Sequence, residues 1–172
     1  GSKTMLLLLG FAFVSIINFA FIDKIDSLKA ELQKDLYDTT RINTFLSLEY
    51  EYAYFNPDSA LFFATQAKNI AEKLKDEKLI AKAMNAMGWD NYVKGNYPQA
   101  LKYYFEALKI NETIQNKKGT STTLGSIGLV YWNQGNYPKA LGYYFRALKM
   151  AEELGDKQRI AIHLSNIGIV YS

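Results

Sequence analysis

The 172-residue chain has no cysteine, which excludes disulfides, thiolate metal sites and cysteine nucleophiles together. Its one histidine, His163, cannot build a multi-histidine metal site, and no motif pairs it with a hydroxyl nucleophile. It reads as a surface or packed helix residue. A phosphate-loop consensus is missing, and Gly125, Gly128 and Gly135 belong to a helical pattern instead. No cofactor is expected. An excess of one charge is also absent: 20 basic and 17 acidic residues leave +3, spread along the whole length with no basic arm. Nothing in that balance asks for nucleic acid. The acidic pairs Glu152-Glu153, Glu49 with Glu51, and Asp76-Glu77 fall on helix surfaces or turns, where solvation accounts for them. Asn111-Glu112-Thr113 matches a glycosylation triplet, a pattern common by chance.

What is present begins with an uncharged run from Met5 to Ile22, preceded by Lys3. A helix of that length spans about 27 Å, long for the apolar core of a signal peptide and short for a membrane span. The segment is expected to be a signal peptide or membrane anchor over 1–22, with Gly1-Ser2 a cloning scar. Lys3 on the inner side would place the rest outside the cytoplasm, in a periplasmic or membrane-associated setting. The alternative is a helix covering an apolar end of the fold in a cytoplasmic protein.

Residues 23–40 form a leading unit in which Ile25, Leu28, Leu32 and Leu36 make one apolar stripe between Lys24, Lys29, Glu31, Lys34 and Asp35. Asp38-Thr39-Thr40 supplies candidate N-caps for a helix from about Arg41 to Tyr54. Asn56-Pro57-Asp58-Ser59 closes that helix and opens another, with Asp58 and Ser59 as acceptors for its first amides.

Repetition then dominates. GNYPQALKYYFEALKI over Gly95–Ile110 and GNYPKALGYYFRALKM over Gly135–Met150 agree at twelve of sixteen positions. Upstream, Met84-x-x-Met87-Gly88, Leu124-x-x-Ile127-Gly128 and Leu164-x-x-Ile167-Gly168 fall on the same forty-residue ladder. A fixed period of this size predicts an all-α solenoid of antiparallel helix hairpins over 41–172. Glycine at 95 and 135 takes the positive φ that ends one helix, and Pro98 and Pro138 preset the first turn of the next. Longer breaks are expected at 75–78, 116–119 and 155–158, between hairpins. Mid-helix Gly88, Gly128 and Gly168 each sacrifice roughly 1 kcal/mol of helix propensity, which predicts a close helix crossing at each. Ala60, Ala100 and Ala140, with Ala67, Ala107 and Ala147, let neighbouring helices approach, while Tyr104, Tyr144, Leu108 and Leu148 fill the space between them.

This pattern resembles the tetratricopeptide repeat. One copy carries it as Leu124, Ile127, Gly128, Tyr131, Ala140, Tyr144 and Ala147. The copy before it has Met84, Met87, Gly88, Ala100, Tyr104 and Ala107, with Asn91 in the tyrosine place, and the copy from Arg41 replaces the glycine by Leu48. Forty residues exceed the family's usual thirty-four, and longer second helices would absorb the difference; Glu112 and Glu152 stand where proline is common. The resemblance implies a right-handed superhelix whose first helices line a groove. Its expected lining is Glu49 and Tyr52, then Lys82, Asn85, Trp89 and Tyr92, then Thr122, Leu129, Trp132 and Asn133, with Phe45, Val93, Gly125, Ser165 and Ile169 beside them. Trp and Tyr are favoured anchors, and Asn can bond an extended backbone. Packing of Trp89 and Trp132 between helices is the competing expectation. Trp89 and Leu129 occupy places where a chaperone-tail carboxylate clamp has Asn, so that ligand is not expected.

The copy beginning near Ile160 stops inside its first helix, so a longer parent protein, or a homodimer through this repeat, is expected. With the apolar run, the DTTRIN segment over 38–43 and the NPDSAL segment over 56–61 resemble N-terminal sensory regions of bacterial membrane histidine kinases and nucleotide cyclases. The function expected is a non-catalytic protein- or peptide-binding scaffold in such a protein. The alternative is a soluble intracellular peptide receptor or adaptor.

Overall fold

A computed structural model describes residues 22–34 and 37–172. The expectations for 1–21, signal peptide or anchor, lie outside those residues. All regular structure described is helical: α1 over 22–32, α2 Asp38–Tyr52, α3 Pro57–Leu74, α4 Glu77–Val93, α5 Tyr97–Thr113, α6 Lys117–Asn133, α7 Tyr137–Glu153 and α8 Lys157–Tyr171. No described helix is long and apolar enough to cross a membrane.

The helix ends follow local chemistry. Asn56, Asp76, Asn116, Asn136 and Asp156 each accept a bond from the amide three residues on, satisfying a donor left free by the first turn. Gly95 and Gly135 sit at φ +75 and +70 and close their helices as expected. Three expectations are corrected. Asp38, Thr39 and Thr40 form the first turn of α2, behind Tyr37, rather than capping a later start. Asn56, not Asp58 or Ser59, caps α3. The connections between hairpins are no longer than those within them, because α4, α5, α6 and α7 are all 17 residues long. First and second helices lengthen equally, and equal three-residue links complete the forty-residue period.

Packing explains the small positions. Ala60, Ala67, Ala100, Ala107, Ala140 and Ala147 are fully buried, and Tyr104 and Tyr144 are 1% and 2% exposed. A Cβ on Gly88 would lie 2.5 Å from the Tyr104 ring, and one on Gly128 2.7 Å from the Tyr144 ring. Gly88 and Gly128 are each the seat of a tyrosine ring from the following helix. Gly168 differs, with nothing within 4 Å of its Cβ position, and Leu164 and Ile169 beside it stand half exposed. Among the described residues none stands sixteen positions after Gly168, where Tyr104 and Tyr144 follow Gly88 and Gly128.

Each helix packs on its sequence neighbour. One repeat apart, α2 touches α4, α4 touches α6 and α6 touches α8 by close backbone approach, whereas α5 and α7 meet only through side chains, Phe105 with Tyr143 at 6.3 Å between ring centroids and Arg146 with Glu112 at 3.4 Å. The stack therefore curves with α2, α4, α6 and α8 on its inner side. At its start, α1 buries Ile25, pairs Lys24 with Glu51 at 2.5 Å and sets the Lys29 ammonium over the Tyr52 ring.

Candidate peptide-binding groove

The inner face carries two cavities. The first, about 330 Å³, lies between α6 and α8 and is walled by Thr122, Gly125, Ser126, Leu129, Arg159 and His163 among others. The second, about 310 Å³, lies between α4 and α6 over Leu79, with Lys78, Lys82, Asn85, Lys118 and Gly119 at its wall. Thr122 and Arg159 border both, and the Arg159 Nε donates to Thr122 Oγ1 at 3.4 Å. The cavities are two halves of one groove.

Of the residues singled out by sequence, Lys82, Asn85, Thr122 and Leu129 border these cavities. Lys82 Nζ donates to Asn43 Oδ1 at 3.3 Å, bridging α4 to α2. Trp89 and Tyr92 lie farther along α4, half-buried, in a file of rings running from Tyr54 through Trp89 and Tyr92 to Tyr97 at centroid spacings of 5.8, 5.1 and 5.9 Å. Asn133 joins that file from α6 by donating to the Tyr92 hydroxyl at 2.8 Å. Trp132 packs towards the core around Tyr144, and Tyr52 sits against Phe55 and Phe63. Glu49 is buried at 7% exposure, beneath the face rather than on it.

Glu49 has a partner that its sequence neighbourhood does not show. Asp90, one repeat later on α4, is fully buried, and neither of its oxygens has a hydrogen-bond partner of ordinary geometry. Burial, then the facing Glu49 charge, pushes the Asp90 carboxyl up to about 9. Burial likewise raises Glu49 to about 7, against the opposing influence of Asp90 hydrogen bonding and of Lys82. Such a pair retains a proton at neutral pH because two adjacent buried carboxylates cannot both ionise cheaply. The signal in the sequence was Asp90 itself, which stands where the next two copies have Val130 and Val170.

His163 and Ser121 form a second buried pair, with Nε2 and Oγ 3.0 Å apart. They do not make a nucleophile. The Ser121 hydroxyl is fully buried and donates to the Ala147 carbonyl at 2.9 Å, so it accepts from the ring N–H and offers its proton elsewhere. Burial chiefly holds the His163 pKa below its ordinary value, which leaves the ring neutral and Nδ1 an acceptor without a partner. Gly125 is required opposite, since a Cβ there would come within 2.8 Å of His163 Cε1.

A family model for the SusR N-terminal TPR domain matches residues 22–121, and a tetratricopeptide repeat model matches 119–172. The chain belongs to the tetratricopeptide repeat family. No curated protein matches it. Among solved structures, this tetratricopeptide repeat chain is similar to a Rap protein complexed with competence and sporulation factor, at TM-score 0.78 and 16% identity over 92% of this chain and 46% of that one. It is also similar to aspartyl phosphate phosphatase F from Bacillus subtilis, at 0.78 and 17% over 89% and 44%. A third is a signal transduction ATPase with a tetratricopeptide repeat sensor from Pyrococcus horikoshii, at 0.73 and 26% over 94% and 25%. The chain spans less than half of each of these proteins, and the likeness is one of fold.

Proposed function

We propose that this tetratricopeptide repeat chain is a non-catalytic recognition region that takes an extended peptide, or a loop of a partner protein, along its inner face. The groove shared by α4, α6 and α8 carries the reading. An extended strand exposes alternating backbone donors and acceptors, and Asn85, Thr122, Ser126 and Asn166 supply polar partners around the apolar surface of Leu79 and Leu129. The Rap structure with its bound factor, and the sensor role named for the Pyrococcus horikoshii protein, support the same use of this fold. The expected test is selection of random twelve-residue displayed peptides on the immobilised protein. Peptides should be enriched, and Leu129→Asp, with unchanged circular dichroism, should weaken each by tenfold or more. No enrichment, or binding indifferent to Leu129→Asp, overturns the reading.

The larger setting we propose is the sensory part of a membrane signalling protein of histidine kinase or nucleotide cyclase type, with the repeats outside the cytoplasm. The uncharged run from Met5 to Ile22 and the N-terminal placement in the matching family description support it. Protease added to intact spheroplasts should digest the repeats of the native full-length protein. Protection of the repeats moves the assignment to an intracellular peptide receptor.

A further inference from the structure

Antiparallel hairpins sort the links of this chain onto two opposite edges of the stack. The links inside hairpins lie within 53–58, 93–98 and 133–138 on one edge, and those between hairpins lie within 73–78, 113–118 and 153–158 on the other. These edges differ sharply in chemistry. The second edge carries ten charged residues and no aromatic one, as solvated links ordinarily do. The first carries two charges, Asp58 and Lys94, which pair with each other at 2.6 Å and leave no net charge. In their place it presents Tyr54, Phe55, Tyr97 and Tyr137, of which Tyr54, Phe55 and Tyr137 are 71%, 55% and 51% exposed. Turn geometry asks for the glycine, asparagine and proline of these links. It asks neither for the exposed rings nor for the lack of charge.

A second observation gives this edge a direction. The uncharged run from Met5 ends at Ile22, which opens α1 and is 56% exposed. Two residues on, Lys24 pairs with Glu51 in the last turn of α2. The start of α1 therefore stands beside the link at 53–56, on the aromatic edge and away from the charged one. Tyr54 is also braced from behind, edge-on to the Trp89 ring at 5.8 Å. Tyrosine and tryptophan rings settle at the headgroup level of a bilayer, where an apolar body and a polar tip are both accommodated, whereas unpaired charges are costly below that level.

We propose that the hairpin-turn edge rests on a lipid bilayer, with Tyr54, Phe55 and Tyr137 at headgroup level, so that the solenoid stands edge-on over the membrane that the uncharged run enters. This rests on the membrane setting proposed above. With no net charge on the edge, the association needs neither anionic lipid nor low salt. The charged links face water on the far side.

The experiment uses the whole chain reconstituted into phosphatidylcholine vesicles. Because the sequence has no cysteine, Gln134→Cys on the aromatic edge and Lys157→Cys on the charged edge, both exposed positions, each accept a single fluorescent dye. Lipids brominated high in their acyl chains should quench the dye at 134 about threefold more than the dye at 157, with or without added phosphatidylglycerol. Tyr54→Ser/Tyr137→Ser should remove most of that difference while the chain still floats with the vesicles. Quenching at 134 that survives the double variant overturns the role of the rings. Equal quenching at the two sites, in a chain that floats with the vesicles, overturns the edge assignment and leaves the membrane setting standing. A chain that does not float with them overturns both. Shielding at 134 that brominated lipid does not quench, and that grows with the protein-to-lipid ratio, gives the edge to a second copy and overturns the lipid assignment.

Discussion

Gly128→Ala destabilises the protein by about 2–4 kcal/mol, whereas Gly168→Ala, at the same place one repeat later, stabilises it by up to about 1 kcal/mol. The added methyl at 128 arrives 2.7 Å from two carbons of the Tyr144 ring, and that ring is 2% exposed with buried neighbours on α7. A ring so enclosed cannot turn aside, so either the ring or helix α6 shifts. The penalty exceeds the propensity gained on replacing glycine in a helix. At 168 no atom lies within 4 Å, and only the propensity gain remains. Urea unfolding of the two variants beside the parent chain measures both. Equal effects would show that the ring does not seat on the glycine.

Asp90→Asn is expected to have the second large effect, and its sign depends on pH. Glu49 and Asp90 have folded pKa values raised above those of the unfolded chain, so the folded state binds more protons than the unfolded one as pH climbs. Their contribution is therefore fully present below the ordinary carboxylate range and is lost as pH rises through about 7 and then about 9. Asparagine cannot ionise. At about pH 9 the variant should exceed the parent by about 2–4 kcal/mol, while near pH 5 the two should lie within about 1 kcal/mol. Asp90→Val, the residue of the equivalent positions 130 and 170, should follow the same trend. A parent chain whose stability is flat between those pH values would falsify the paired-carboxyl description.

Much of this architecture was legible in the residues. The forty-residue ladder named the solenoid, Gly95 and Gly135 marked the turns, and Gly88 and Gly128 announced contacts that Tyr104 and Tyr144 make. Spacing within one hairpin is enough for that. The equal helix lengths were less visible, because Lys75-Asp76-Glu77-Lys78 reads as polar loop although two of its residues already turn helically. The groove was harder still. Its cations come from three different helices, and which side chains converge depends on the rotation between successive repeats, which no single-repeat pattern encodes. Glu49 illustrates the difficulty: its repeat position suggested the surface, and a partner forty-one residues away explains its burial.

Because packing runs between sequence neighbours and between helices one repeat apart, the described chain has no contact that ties its two ends together. Its outer side can therefore spread or close by small slips at each hairpin, as the coils of a spring do, and a tensile load peels away one hairpin at a time. An occupant bridging α4, α6 and α8 would be the first link to span those coils. It would stiffen the chain along its length, turning recognition at the groove into a change of mechanical compliance felt at either end.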